Sequence, residues 1–173
     1  MADDGVLTDL DSNAGANGAD NSPAAGIISQ YVKDLSVENP NAPACYQWGE
    51  QPQVDLQFNI GANKVNDEVH EVELKVNATA KCGQGEFYLL ELVYCGLVGL
   101  RNVPDEQAHA FLYAEAPRLI FPFARRVIAD AVQDAGFPPL VLDPIDFNGL
   151  YVQQLQQRQQ GLQGDGNTPI GHA

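Results

Sequence analysis

Residues 87–100 read FYLLELVYCGLVGL, fourteen positions that are apolar on both alternating sides, with one carboxylate, Glu91, among them. A strand covered on one side only alternates apolar with polar. As a membrane span the stretch is too short, against the ~20 residues a bilayer needs, and it carries a charge. It therefore reads as a strand with two greasy faces. Leu90, Leu92 and Tyr94 share one of them, and Phe87, Leu89, Glu91 and Val93 share the other.

Three shorter segments upstream repeat with period two. QYVKDLSVE (30–38) places Tyr31, Leu35 and Val37 opposite Asp34, Ser36 and Glu38. VDLQFNI (54–60) turns Val54, Leu56, Phe58 and Ile60 one way, and EVELKVNATA (71–80) does the same with Val72, Leu74, Val76 and Ala78. Such alternation predicts an antiparallel sheet with one solvated face. GANKVNDE and CGQG carry turn chemistry between the second, third and fourth strands. NPNAPACYQWGEQP, with three prolines, is too long and stiff for a hairpin and predicts a crossover loop.

Helices follow. Pro104, Asp105 and Glu106 suit the positive end of a helix, which Pro117 is expected to interrupt and Pro122 to kink. Ile120, Phe123, Val127, Ile128, Ala131 and Val132 give the restarted helix its apolar face, and Gly136 its stop. A last short helix opens at Asp146, with Phe147, Leu150, Tyr151 and Leu155 as its stripe. The expected class is α+β: a four-stranded antiparallel sheet, then a long kinked helix and a short C-terminal helix. Residues 1–26 read as a disordered acidic tail and 159–173 as a flexible C-terminal tail, leaving 27–158 as the folded domain.

The chain has 173 residues and a net charge of −14 from 23 acids and 9 bases. Setting aside five acids in residues 1–26 and Asp165 leaves 17 acids against 9 bases, so the centre is itself near −8. That balance argues against nucleic acid or an anionic membrane as partner, and no direct membrane insertion is expected. Cys45, Cys82 and Cys95 form no C-x-x-C pair, and His70, His109 and His172 are scattered, so no metal site is expected. Structural thiols and the lack of a signal-peptide pattern point to a cytoplasmic protein. His70 reads as an exposed strand histidine and His109 as a packing residue. Neither nucleotide-loop nor nucleophile-elbow spacing occurs, so neither catalysis nor a cofactor is expected.

If one face of the fourth strand meets the helices, the other exposes apolar groups ringed by Asp34, Glu38, Asp55, Glu71 and Glu73. An apolar patch rimmed by carboxylates suits a partner that is itself apolar and basic. YVKDLSVENPNAP (31–43) and FPFARRVIADAVQDAGFPPLVLDPIDFNGLY (121–151), with the strand order between them, resemble the SecB protein-export chaperone family over about 27 to 158. The resemblance implies an ATP-independent cytosolic homotetramer, a dimer of dimers, that holds unfolded preproteins and delivers them to the motor ATPase SecA. It implies SecA binding through Asp34, Glu38, Leu89 and Glu91, and oligomer contact through Leu90, Leu92 and Tyr94.

It further implies a client-binding groove built from Tyr46, Trp48, Val54, Leu56, Phe58, Leu140, Leu142, Phe147 and Leu150. Here Trp48 stands two positions further from the QP pair than in the family. Two other readings stay open: a SecB-like chaperone of a non-export client such as an antitoxin, or a small-molecule-binding α+β domain with its pocket around Trp48 and Cys45.

Overall fold

Each of the four alternating segments folds as a strand, and together they make one antiparallel sheet in the order β1-β4-β3-β2. A computed structural model describes residues 20–164. The strands are β1 (Ala24–Glu38), β2 (Gln53–Lys64), β3 (Val69–Cys82) and β4 (Gly85–Arg101), each longer than its periodic stretch suggested. β1 starts at Ala24, inside the segment expected to be disordered. The remainder of that segment, residues 1–19, lies outside the described residues, as do 165–173 of the C-terminal tail. Because β1 pairs with β4 while β2 holds the opposite edge, the segment 39–52 has to cross the sheet, as its length and prolines required.

The fourth strand is central, and its two faces diverge. Leu90 and Leu92 are 1 % exposed and Tyr94 6 %, joined in the core by Leu74, Val76 and Ala78 of β3. We call this the back face. Leu89, Val93 and Leu97 on the front face are only partly covered, and Glu91 is exposed.

Strict alternation fails in β1. Its register against β4 slips between Ile27 and Ser29 and again between Val32 and Asp34. Such a bulge inserts one residue and reverses the side-chain phase. Tyr31 therefore lies opposite Cys95 on the front face, with Asp34, Ser36 and Glu38, while Leu35 and Val37 turn to the back. Period two alone had put Tyr31 with Leu35 and Val37.

The helical region runs Asp105–Ala110 (α1), a π turn at Phe111–Glu115 and Ala116–Asp134 (α2), without the break expected at Pro117. The π turn comes immediately before that proline, with the Ala116 N–H bonded to the Phe111 carbonyl. A wider turn absorbs the register that a missing N–H would disrupt. α2 lays Ile120, Phe121, Ala124, Ile128 and Val132 on the back of the sheet. These fall at helical spacings of three and four. Phe123, which the apolar count had put on that face, is 44 % exposed on the outer side. Gly136, at φ +90, ends α2, with Gly136 N bonded to Gln133 O and Phe137 N to Val132 O. That is a Schellman closure. The final helix α3 (Phe147–Gly164) is capped by Asp146, whose Oδ1 accepts the Gly149 N–H at 3.0 Å. No described helix is long and apolar enough to cross a membrane.

Candidate functional site: an open front face and two clefts

On the front face the ladder brings the four predicted docking residues together. Leu89 is the direct partner of Glu38, Glu91 faces Ser36 across β1, and Asp34 is paired with the next front-face residue, Val93. Asp34, Glu38 and Glu91 are exposed, and Leu89 sits among them half-buried. Cross-strand neighbours on one face lie about 4.5–5.5 Å apart at Cβ, so these groups form one patch.

The same face is closed at its other end. Lys33 Nζ donates to Glu71 Oε1 and Glu73 Oε1, both at 2.6 Å, and the Tyr31 hydroxyl donates to Glu71 Oε2. The Lys33 ammonium, and then the tyrosine, hold the Glu71 carboxyl below its ordinary 4.5. The same hydrogen bond pushes Tyr31 up to about 12. Beneath them lies Cys95, fully buried, its thiol pushed up to about 11, first by burial and then by the two carboxylates. Glu71, Glu73 and Cys95 offer three potential ligand atoms close together. The ammonium of Lys33 already occupies the carboxylates, so the trio forms a sealed surface cluster. Glu71 and Glu73, counted from the pleat as part of the acidic rim, are thus both paired with Lys33, and Lys75 lies 3.8 Å from Glu73 as a second cation. Asp67, near the β2–β3 turn, is likewise paired with Lys64 at 2.9 Å.

Oligomer contact had been assigned to Leu90, Leu92 and Tyr94. The fold buries them beneath α2 of the same chain, so that face is the subunit's own core. Sequence alternation shows that a face is apolar but not which element covers it.

The groove residues divide between two clefts. Tyr46, Trp48, Val54 and Leu140 line one of about 410 Å³, floored by Phe87 and Phe137. Trp48 stands edge-on to Phe87 with ring centres 5.1 Å apart, so its displaced position in the loop still delivers it to this wall. Phe58, Phe147 and Leu150 line the other, of about 920 Å³, with His109, Tyr151 and Arg158. Leu56 packs on the core between them, and Leu142 is buried in it; neither lines a cleft. Val54, Leu56 and Phe58 are alternate residues of β2, so their row joins the clefts across about 13 Å. β2 is also an edge strand, with one side of its backbone free to pair.

Sequence reasoning missed Phe87, Tyr88 and Phe137 as parts of the first cleft. The two-faced strand and the FPP segment named them as apolar without saying where they meet. Cys45 is buried, as expected of a structural thiol. His109 does pack, stacked on Tyr113 of the π turn at 4.6 Å, and its Nδ1 also lies 2.7 Å from the Tyr151 hydroxyl, tying α3 to α1. His70 is not the exposed strand histidine expected: it is half-buried, and its Nδ1 is covered with no hydrogen-bond partner among the described residues.

Known proteins are similar to this chain in sequence and in fold. Residues 18–158 match the family model described as preprotein translocase subunit SecB. Proteins named protein-export protein SecB are 68 % identical in Erythrobacter litoralis and 60 % identical in Novosphingobium aromaticivorans, each aligned over all of both chains. Among solved structures, a SecB-like chaperone of Mycobacterium tuberculosis, in complex with an antitoxin peptide, superposes with a TM-score of 0.59 at 16 % identity. That match covers 70 % of this chain and 90 % of the other, a likeness of fold. With the family pattern running through sheet, crossover loop and helices alike, the chain belongs to the SecB family.

Proposed function

We propose that this chain is an ATP-independent cytosolic chaperone that holds unfolded preproteins in its two clefts and hands them to SecA. The observation that carries the reading is the open half of the front face. Among the described residues Asp34, Glu38 and Glu91 make no ion pair with a lysine or arginine around Leu89, while Glu71 and Glu73 are tied up. A patch of that composition suits a basic, partly apolar partner. The names of the relatives at 60–68 % identity point to export rather than to an antitoxin client.

Client capture follows from the clefts. A holdase has to recognise chains without a sequence code, so shallow apolar sites beside a free strand edge suit it. Each buried Leu- or Phe-sized client side chain contributes about 1.5–3 kcal/mol, so a few subsites suffice for reversible binding. Repetition over a tetramer raises the effective concentration of sites. With the back of β4 already covered, self-association has the outer side of α2 to use, where Leu119 and Phe123 are exposed, together with Val32 and Leu35 on the back of the β1 edge.

Three measurements test this. Stoichiometric protein suppresses aggregation of a denatured, diluted client; absence of protection removes the holdase reading in favour of a small-molecule-binding domain. Immobilised SecA retains the wild-type protein but not Glu91→Lys or Asp34→Lys; equal retention of all three excludes this patch. Phe123→Asp converts the assembly to smaller species in light scattering, and an unchanged mass moves the interface elsewhere.

A further inference from the structure

Tyr46 is 49 % exposed beside the aromatic cleft, which is the position of a client-contacting wall. Its hydroxyl is nevertheless fully committed. It donates to the Ala135 carbonyl at 2.7 Å and accepts from Asn39 Nδ2 at 2.7 Å, and Asn39 Nδ2 also reaches Ala135 O at 3.2 Å. Ala135 caps the C-terminal end of α2, where carbonyls lack helical partners and carry the negative end of the helix dipole. Two donors from the crossover loop satisfy that carbonyl.

The seat is shaped for this contact. Gly136 follows at φ +90, and a Cβ there would stand 2.9 Å from the Tyr46 hydroxyl, so only glycine admits it. Asn39 is itself aimed by the Cys45 thiol, which donates to its Oδ1 at 3.4 Å. The loop is pinned again beyond it: Asn41 Nδ2 donates to Glu86 O at 2.9 Å, and the Gly83 N–H donates to Glu50 Oε2 at 2.9 Å. Trp48 lies between these anchors, with no side-chain hydrogen bond among the described residues to fix it, resting on Phe87.

We propose that Asn39 and Tyr46 form a clasp that holds the crossover loop against the end of α2 and so keeps the aromatic cleft formed before a client arrives. Tyr46 is then a positioning residue, acting on clients through Trp48. The inference rests on the cleft being a client site, as proposed above. Preorganisation raises affinity because the wall is not ordered at the expense of binding.

Trp48 is the sole tryptophan, so its fluorescence reports the wall directly, with or without a client. The test compares wild type, Tyr46→Phe, Asn39→Asp and the double variant by acrylamide quenching of Trp48. It also compares their affinity for a labelled, tryptophan-free basic peptide rich in Phe and Leu. Tyr46→Phe, which keeps the ring, raises quenching about twofold and weakens peptide binding about fivefold, the scale of one lost hydrogen bond. Asn39→Asp does the same, and the double variant falls little further than either single change because both donors serve one carbonyl.

Val54→Ser separates wall from clasp: it weakens the peptide without changing quenching. Three results overturn the proposal. One is wild-type behaviour of both single variants. Another is a lowered melting temperature of Tyr46→Phe with quenching and affinity intact. The third is loss of binding in Tyr46→Ala but not in Tyr46→Phe, which makes the ring a wall. If the wild type itself does not bind the peptide, the client-binding reading falls, and the quenching comparison alone upholds or rejects the clasp.

Discussion

The two faces of β4 are built from nearly the same residues and have opposite fates. Leu90, Leu92 and Tyr94 on the back are sealed by α2, while Leu89, Glu91 and Val93 on the front remain reachable. One carboxylate is the only charged group in either row. What separates them is the neighbouring strands: β1 and β3 present apolar rows on the back, and Asp34, Glu38, Asn77 and Lys75 on the front. A strand's function is thus set by its partners' pleats as much as by its own side chains.

Several substitutions sharpen this contrast. The largest effect belongs to the back: Leu92→Ala costs about 2–5 kcal/mol in denaturant unfolding, since it opens a cavity under α2. A similar loss for Leu89→Ala would erase the difference between the faces. Glu91→Lys is the converse. It leaves stability within about 0.5 kcal/mol while abolishing SecA retention, because an exposed charge is a matter for the partner.

Within the front face, Lys33→Met probes the closed half. Glu71 has a lowered folded pKa, so its stabilising pairing is complete above 4.5, its ordinary value, and is lost as pH falls through the lower folded one. The stability difference between wild type and Lys33→Met is therefore present near neutrality and closes in acid. A difference that persists there assigns the effect to packing. The smallest expected signal is chemical: a thiol reagent at pH 8 labels half-buried Cys82 first, and reaches buried Cys45 and Cys95 only on unfolding. Prompt labelling of Cys95, whose thiol is pushed up to about 11, shows that the Lys33 cluster opens.

Local rules carried the reading furthest where they act locally. The turns around Asn66 and Gly83, the stop at Gly136 and the cap at Asp146 involve residues a few positions apart, and each was legible. The proline rule overreached at Pro117, where a π turn absorbed the expected break. The bulge at Val32 and Asp34 was invisible, since one extra residue changes the phase without changing composition.

The sequence by itself determined four strands followed by helices, the family, and an acidic chain with apolar material to spare, because period, turn chemistry and charge are written along one dimension. Tertiary structure alone decided which face of β4 is core, which carboxylates stay free of Lys33, and how the predicted groove divides into two clefts. Those outcomes depend on contacts between residues tens of positions apart, such as Lys33 with Glu71 or Tyr46 with Ala135, whose pairing no periodicity encodes.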